Sequence, residues 1–429
     1  MTGPGISRRA FGALGLGMGV AALAGCGAGG DRGGQRATFY GAPDVNSSLV
    51  AAFGLLRREH AELAVASEFG AFQGYYDKLA TRFAGGAAPE VVMMDFTHLA
   101  GYAQRGALLD LTGYAPEPID GAAGRPDVLD GGRFRGRLYG VPIGTHTQAI
   151  VVRTDLVAKY GVPVPDALTW DSYARICADI GRAGGGTVYG TEDGGGSDFA
   201  LDIWVRQRGG QLFTDAGRLG ATREHLAEWF EYWRKLRASG GATPIDVTAN
   251  TTVRAIVAGQ AVIGFNFSNM TGIQGQVKAP LRMLAIPGVS ASDKPGAYQY
   301  IKPTNMFSVN RGTSSPRNAA RIVAAFLTDE RVAGRLGMTL GSPPAKAVFD
   351  AARAKATGVG RTILDFDSGV QRNATATRYP PTRPLGADQL LTATGALLGR
   401  LNLSVGYGQV SPRQAAEDFV SQATSYLQA

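Results

Sequence analysis

Cysteine and histidine are scarce in this chain of 429 residues: two cysteines, Cys26 and Cys177, and four histidines, His60, His98, His146 and His225. So few thiols exclude a disulfide framework, and histidines that form neither an HExxH pair nor metal spacing exclude zinc and redox chemistry. No P-loop and no GxSxG elbow occurs, and no cofactor is expected. Long apolar runs are missing too; the longest candidate, residues 10–25, falls short of the roughly 20 residues needed to cross a bilayer. Lys and Arg exceed Asp and Glu by 8, yet the surplus is scattered and never forms a basic block interleaved with aromatics, which excludes nucleic acid as a ligand.

What is present is ordinary globular composition, 45% hydrophobic and 18% charged, in a chain longer than one core usually organises, so two lobes are expected. The first residues read as an address. Arg8 and Arg9, with Phe11 two positions on, precede the weakly apolar run, which ends in Leu23-Ala24-Gly25-Cys26. The paired arginines resemble a twin-arginine export signal, and the last four residues resemble the lipobox at which bacterial lipoproteins are cut and acylated on cysteine. Residues 1–25 are thus expected to be a signal peptide, Cys26 a lipidation site, and residues 26–36 a glycine-rich tether. Removing the leader lowers the formal charge from +8 to +6.

The body alternates. Strands are predicted at 37–40, 63–69 and 91–94, with helices after Ser47 or Ser48, at 75–83 and at 99–104, a β-α succession that predicts a parallel sheet with covered faces. A second such region contains a strand at 149–152 and a helix at 222–236 capped by Thr222. There Leu226, Trp229, Phe230, Trp233 and Leu236 fall on one stripe and read as core. Further strands are predicted at 262–267 and 306–309, and helices follow Ser315-Pro316 and Ser411-Pro412.

Several segments resemble the extracellular solute-binding proteins of family 1, the maltose- and oligosaccharide-binding group of ABC importers. They are Tyr76-Asp77-Lys78-Leu79 with Pro89-Glu90-Val91-Val92, Gly101-Tyr102-Ala103-Gln104-Arg105-Gly106, Leu138-Tyr139-Gly140-Val141-Pro142-Ile143, Gly259-Gln260-Ala261 before Phe267-Ser268-Asn269, and Pro316-Arg317-Asn318-Ala319-Ala320. These blocks run in family order through nearly the whole mature chain, and the one around residues 300–327 looks especially like binding proteins for pectin-derived oligosaccharides. The resemblance implies an α/β, periplasmic-binding-protein-like fold of two lobes joined by crossings near 144–148, 300–304 and 341–345. The N-lobe would comprise 37–144 plus 305–341 and the C-lobe 145–304 plus 342–429, with ligand enclosed between them. It also implies a monomer without enzymatic activity, lipid-anchored on the outer face of the bacterial cytoplasmic membrane, which passes a carbohydrate to the permease subunits of an ABC importer.

A saccharide offers hydroxyls and apolar C–H faces, so its site needs flat rings beside directional polar groups. Open α/β sheets bind beyond the carboxyl ends of their strands, which selects Tyr40, Asp44, Phe69, and Asp95 with Phe96, Thr97 and His98. From the resemblance come Thr145 and His146 in the first crossing, Phe199 and Trp204, and the strand end holding Phe265, Phe267 and Asn269. Relatives often supply a late tryptophan where residues 378–386 offer Tyr379. Competing readings are core packing for Phe199, Phe265 and Phe267, a helix-start acid for Asp44 and a surface histidine for His98. Rival functions are a secreted carbohydrate-active enzyme using Asp193 with Asp198 or Asp365 with Asp367, and the same fold holding a polyamine, peptide or metal complex.

Overall fold

The strands at 35–40, 91–95 and 141–153 are buried along nearly their whole length, whereas the one at 65–70 has three exposed positions. The structure is a computed structural model that describes residues 34–250, 253–374, 379–380, 382–392 and 395–427. Arg8, Arg9 and Cys26 lie outside the described residues. The strands are β1 (Gln35–Tyr40), β2 (Val65–Gly70), β3 (Val91–Asp95), β4 (Arg133–Phe134), β5 (Arg137–Leu138), β6 (Val141–Arg153), β7 (Tyr189–Thr191), β8 (Ala261–Phe267), β9 (Leu281–Leu284) and β10 (Ile301–Val309). Apart from the β4-β5 hairpin they join in the order β2-β1-β3-β10-β6-β8-β7, with β9 also on β6.

This sheet corrects the expectation of uniform parallel pairing. β1 is parallel to β2 and β3, and β7 to β8, but β10 runs antiparallel to β3 and β6, and β6 antiparallel to β8 and β9. The cause is β6, whose 13 residues pair with β10 along the first half and with β8 and β9 along the second. One strand thus serves two lobes, and a connection that crosses from one to the other cannot keep the direction of a local β-α-β unit.

Two large cores flank this shared strand. Phe39, Leu49, Leu56, Met94, Phe307 and Phe326 anchor the first; Trp170, Trp204, Trp229, Trp233 and Phe419 anchor the second. The helix Arg223–Ala238 presents all five stripe residues inward and starts in a capping box between Thr222 and His225. The first helix, Pro43–Glu59, begins earlier than expected, with Pro43 in its first turn and no side-chain cap; the Ser47 hydroxyl instead donates to the Pro43 carbonyl.

A third passage between lobes lies beside the first two, where the backbones of Thr145 and Ser342 exchange hydrogen bonds of 3.0 and 2.9 Å. Gly341 makes this approach possible: its φ is +97°, and a Cβ there would sit 2.5 Å from the His146 ring. Under this junction Arg125 is buried, reaching Thr145 Oγ1 at 3.3 Å and Gln371 at 3.2 Å, while Asp367 accepts from Ser342.

Candidate functional site

The end of β3 forms one wall of the site. Asp95 accepts the backbone N–H groups of Thr97 and His98 at 2.9 Å each and the His98 Nδ1 at 2.8 Å. His98 stacks flat on Tyr76, centroids 3.5 Å apart. The Tyr76 hydroxyl accepts the Asp95 N–H at 2.9 Å and lies 3.3 Å from the Tyr40 hydroxyl, which accepts from Asn305 at 3.0 Å. Burial alone would raise the Asp95 carboxyl, but the bonds and charge of His98 outweigh it and hold Asp95 below the usual carboxylate range. Burial beside Asp95 pushes the Tyr40 and Tyr76 phenols up.

Next to this network Phe96 turns its edge toward Tyr379 at 6.2 Å, and Tyr379 meets Tyr300 at 5.0 Å. The facing wall comes from the helix Asp198–Gln207 and the end of β8. Phe199 and Phe267 lie 4.5 Å apart, and Phe265, 6.3 Å from Phe199, rests on Trp233 and Trp170. The face of β8 that carries its phenylalanines is therefore the one that meets Phe199. Glu192, Phe199, Arg254 and Phe265 help line a hollow of about 330 Å³, and a groove of about 600 Å³ runs from Arg133 and Arg135 to Asp215 and Tyr379.

Between the walls stands Lys302 on β10, in register with His146 of β6. Its ammonium is 5.5 Å from the Phe96 ring and 4.7 Å from the Phe267 ring. Burial and then the charge of Arg383 lower the Lys302 pKa to about 8, against the opposing pull of Asp198 and Asp95. Burial and Lys302 lower His146 to about 4. Three buried polar atoms around this point, His146 Nδ1, Thr304 Oγ1 and Tyr379 Oη, make no hydrogen bond with another described residue.

The structure thus brings together Tyr40, Asp95, Phe96, Thr97, His98, His146, Phe199, Phe265, Phe267 and Tyr379. It does not bring the others there. Asp44 is exposed and bonds the N–H of Val45 in its own helix turn. Phe69 is 41% exposed and lines a separate hollow with Glu68, Lys78 and Arg82. Thr145 is fully buried, its hydroxyl donating to Ser342 O at 2.9 Å. Trp204 sits in the second core, its Nε1 donating to the His225 carbonyl at 3.2 Å, and Asn269 is exposed. Sequence reasoning missed Lys302, Thr304, Tyr76 and the Asp198–Arg383 ion pair. The available signal was a lysine two residues from a threonine, set between the apolar Ile301 and Pro303.

Among the described residues no group of His, Cys, Asp and Glu is arranged to hold a metal ion, and no helix is long and apolar enough to cross a membrane. Cys177 is free and buried in the second core, which pushes its thiol pKa up.

Two α/β lobes sharing crossing strands, with aromatic and polar groups converging from both, define a two-lobed binding protein. Residues 46–333 match the family of bacterial extracellular solute-binding proteins, to which the chain belongs. A family 1 extracellular solute-binding protein from Alicyclobacillus acidocaldarius is 25% identical, with a TM-score of 0.73 over 92% of this chain and 98% of that one. A periplasmic oligogalacturonide-binding protein from Yersinia enterocolitica (18% identity, TM-score 0.77, 92% of this chain and 99% of that one) has the same fold. So does an ABC substrate-binding protein from Listeria monocytogenes in complex with cycloalternan (17% identity, TM-score 0.72, 91% and 98%).

Proposed function

We propose that this chain is the substrate-binding lipoprotein of an ABC importer, that it captures a carbohydrate of oligosaccharide size between its lobes, and that it delivers it to the permease. In this reading the lobes are 37–144 plus 305–341 and 145–304 plus 342–429, the anchor is lipid on Cys26, and the protein acts as a monomer outside the cytoplasmic membrane. One observation carries it: the ring of Phe96 on one side and those of Phe199, Phe267 and Tyr379 on the other flank buried polar atoms that have no hydrogen-bond partner among the described residues. Rings suit the C–H faces of sugars, and unpaired donors and acceptors suit their hydroxyls. Ligand touching both walls favours the closed arrangement by binding it better than the open one.

The carboxylates that an enzyme would use are tied to arginines: Asp193 to Arg237 at 2.9 Å, Asp198 to Arg383, and Asp365 to Arg353 at 2.7 Å and Arg361 at 2.6 Å. Asp367 lies buried at the junction of the crossings. These pairings favour binding over hydrolysis. A thermal-shift screen of the purified chain against oligosaccharides tests the reading, since a ligand at 100 times its Kd adds about 2.7 kcal/mol. A saturable shift without turnover is the expected result. Shifts produced by a polyamine, peptide or metal complex and by no saccharide overturn the assignment.

A further inference from the structure

Among the described residues the Lys302 ammonium has no ion-pair or hydrogen-bond partner, although it stands where the two walls meet and is only partly exposed. The neighbouring charges are engaged elsewhere. Asp95 is held by His98 and two backbone N–H groups, and Asp198 by Arg383; both act on Lys302 through space without touching it. His146, across the strand, offers no negative charge. An ammonium withdrawn from water without a contacting anion is costly, and the faces of two phenyl rings compensate only part of that cost. A neutral guest would bury the cation further and leave it unpaired.

We infer that Lys302 is the contact point for a carboxylate on the ligand, so that the solute is an acidic saccharide containing a uronic acid. This rests on the carbohydrate reading above and narrows it. The rings of Phe96 and Phe267 hold the ammonium between the lobes, while His146 Nδ1, Thr304 Oγ1 and Tyr379 Oη are left for the hydroxyls of the same sugar. The ion pair forms inside a site largely closed to water, where salt screens it less than at a surface.

The test is a calorimetric titration of the purified chain with galacturonate- and glucuronate-containing oligosaccharides, each paired with its carboxyl-reduced form. For at least one pair the acid is expected to bind about 10- to 100-fold more tightly than its reduced partner. In Lys302→Met the two forms of that pair should bind within about threefold of each other, while Lys302→Arg keeps the preference. Equal binding of acid and reduced forms by the wild-type chain, binding of reduced or neutral sugars alone, or a preference that survives in Lys302→Met overturns the inference and leaves the carbohydrate reading standing. Absence of binding to any saccharide, acidic or neutral, overturns both. If Lys302→Met lacks a cooperative melt, the wild-type comparison of acid with reduced form decides alone.

Discussion

Asp95 and Lys302 are opposite charges in one site, and they live differently. Asp95 is saturated: two backbone N–H groups and an imidazole occupy its oxygens, and the ring it orients is stacked on Tyr76. Among the described residues the Lys302 ammonium meets ring faces and no anion. The first arrangement builds a rigid wall, because the partners of its carboxylate come from within the protein. The second leaves interaction energy to be realised by a guest. A charge at a strand end is thus not sufficient to mark recognition; what distinguishes the two is whether the fold has already supplied the partner.

The contrast breaks most sharply at Asp95. Asp95→Ala leaves His98 and two N–H groups without their acceptor and should cost about 3 kcal/mol in a urea unfolding series, whether or not ligand is present. An unchanged midpoint would mean that the wall is not held from within.

His146 sharpens the comparison through pH. Its folded pKa of about 4 lies below the ordinary value of 6.5, so the unfolded chain takes up the proton first. Its contribution is complete above pH 6.5 and is lost as pH falls toward 4, about 3 kcal/mol. His146→Gln should flatten that part of the stability curve, measured as urea midpoints between pH 4 and 7.

The smallest effect has the opposite sign to the Asp95 change. Lys302→Met removes a cation without a contacting anion and should stabilise the free protein by about 1 kcal/mol at pH 7. Because the folded pKa of Lys302 is depressed from 10.5 to about 8, wild-type stability gains a contribution as pH rises between those values, and the variant should lack it. Destabilisation by Lys302→Met would mean that the lysine is a structural element like Asp95.

The strand ends bearing Asp95 and Phe267 were legible because the β-α succession is written in residue periodicity, as is the helix containing Trp229 and Trp233. The rule that ligands sit beyond strand ends fixes a level along the sheet but not a direction. Hence Asp44 and Phe69 qualified on paper and lie elsewhere; Thr145 came from the resemblance instead, and its hydroxyl serves the crossing. The first half of β6 escaped because it is buried on both faces, pairing with β10 along one edge and bridging to Ser342 at Thr145, so Pro142, Gly144, Thr145 and Thr147 show no alternation. Lys302 was hidden for a different reason. A lysine ordinarily reads as surface, and only pairing with His146 and the approach of Phe96 and Phe267, all remote in sequence, reveal it as interior.

The position of β10 between β3 and β6 has a consequence for synthesis. Everything else in the first lobe's sheet leaves the ribosome by residue 153, yet its central place stays empty until residue 309 has been made. Until then the edge of β3 offers unpaired backbone groups beside Met93 and Met94, which the finished fold buries completely. The lobe that starts the chain is thus the one that cannot finish first, and a fragment cut before residue 301 would carry an open, adhesive seam through its middle.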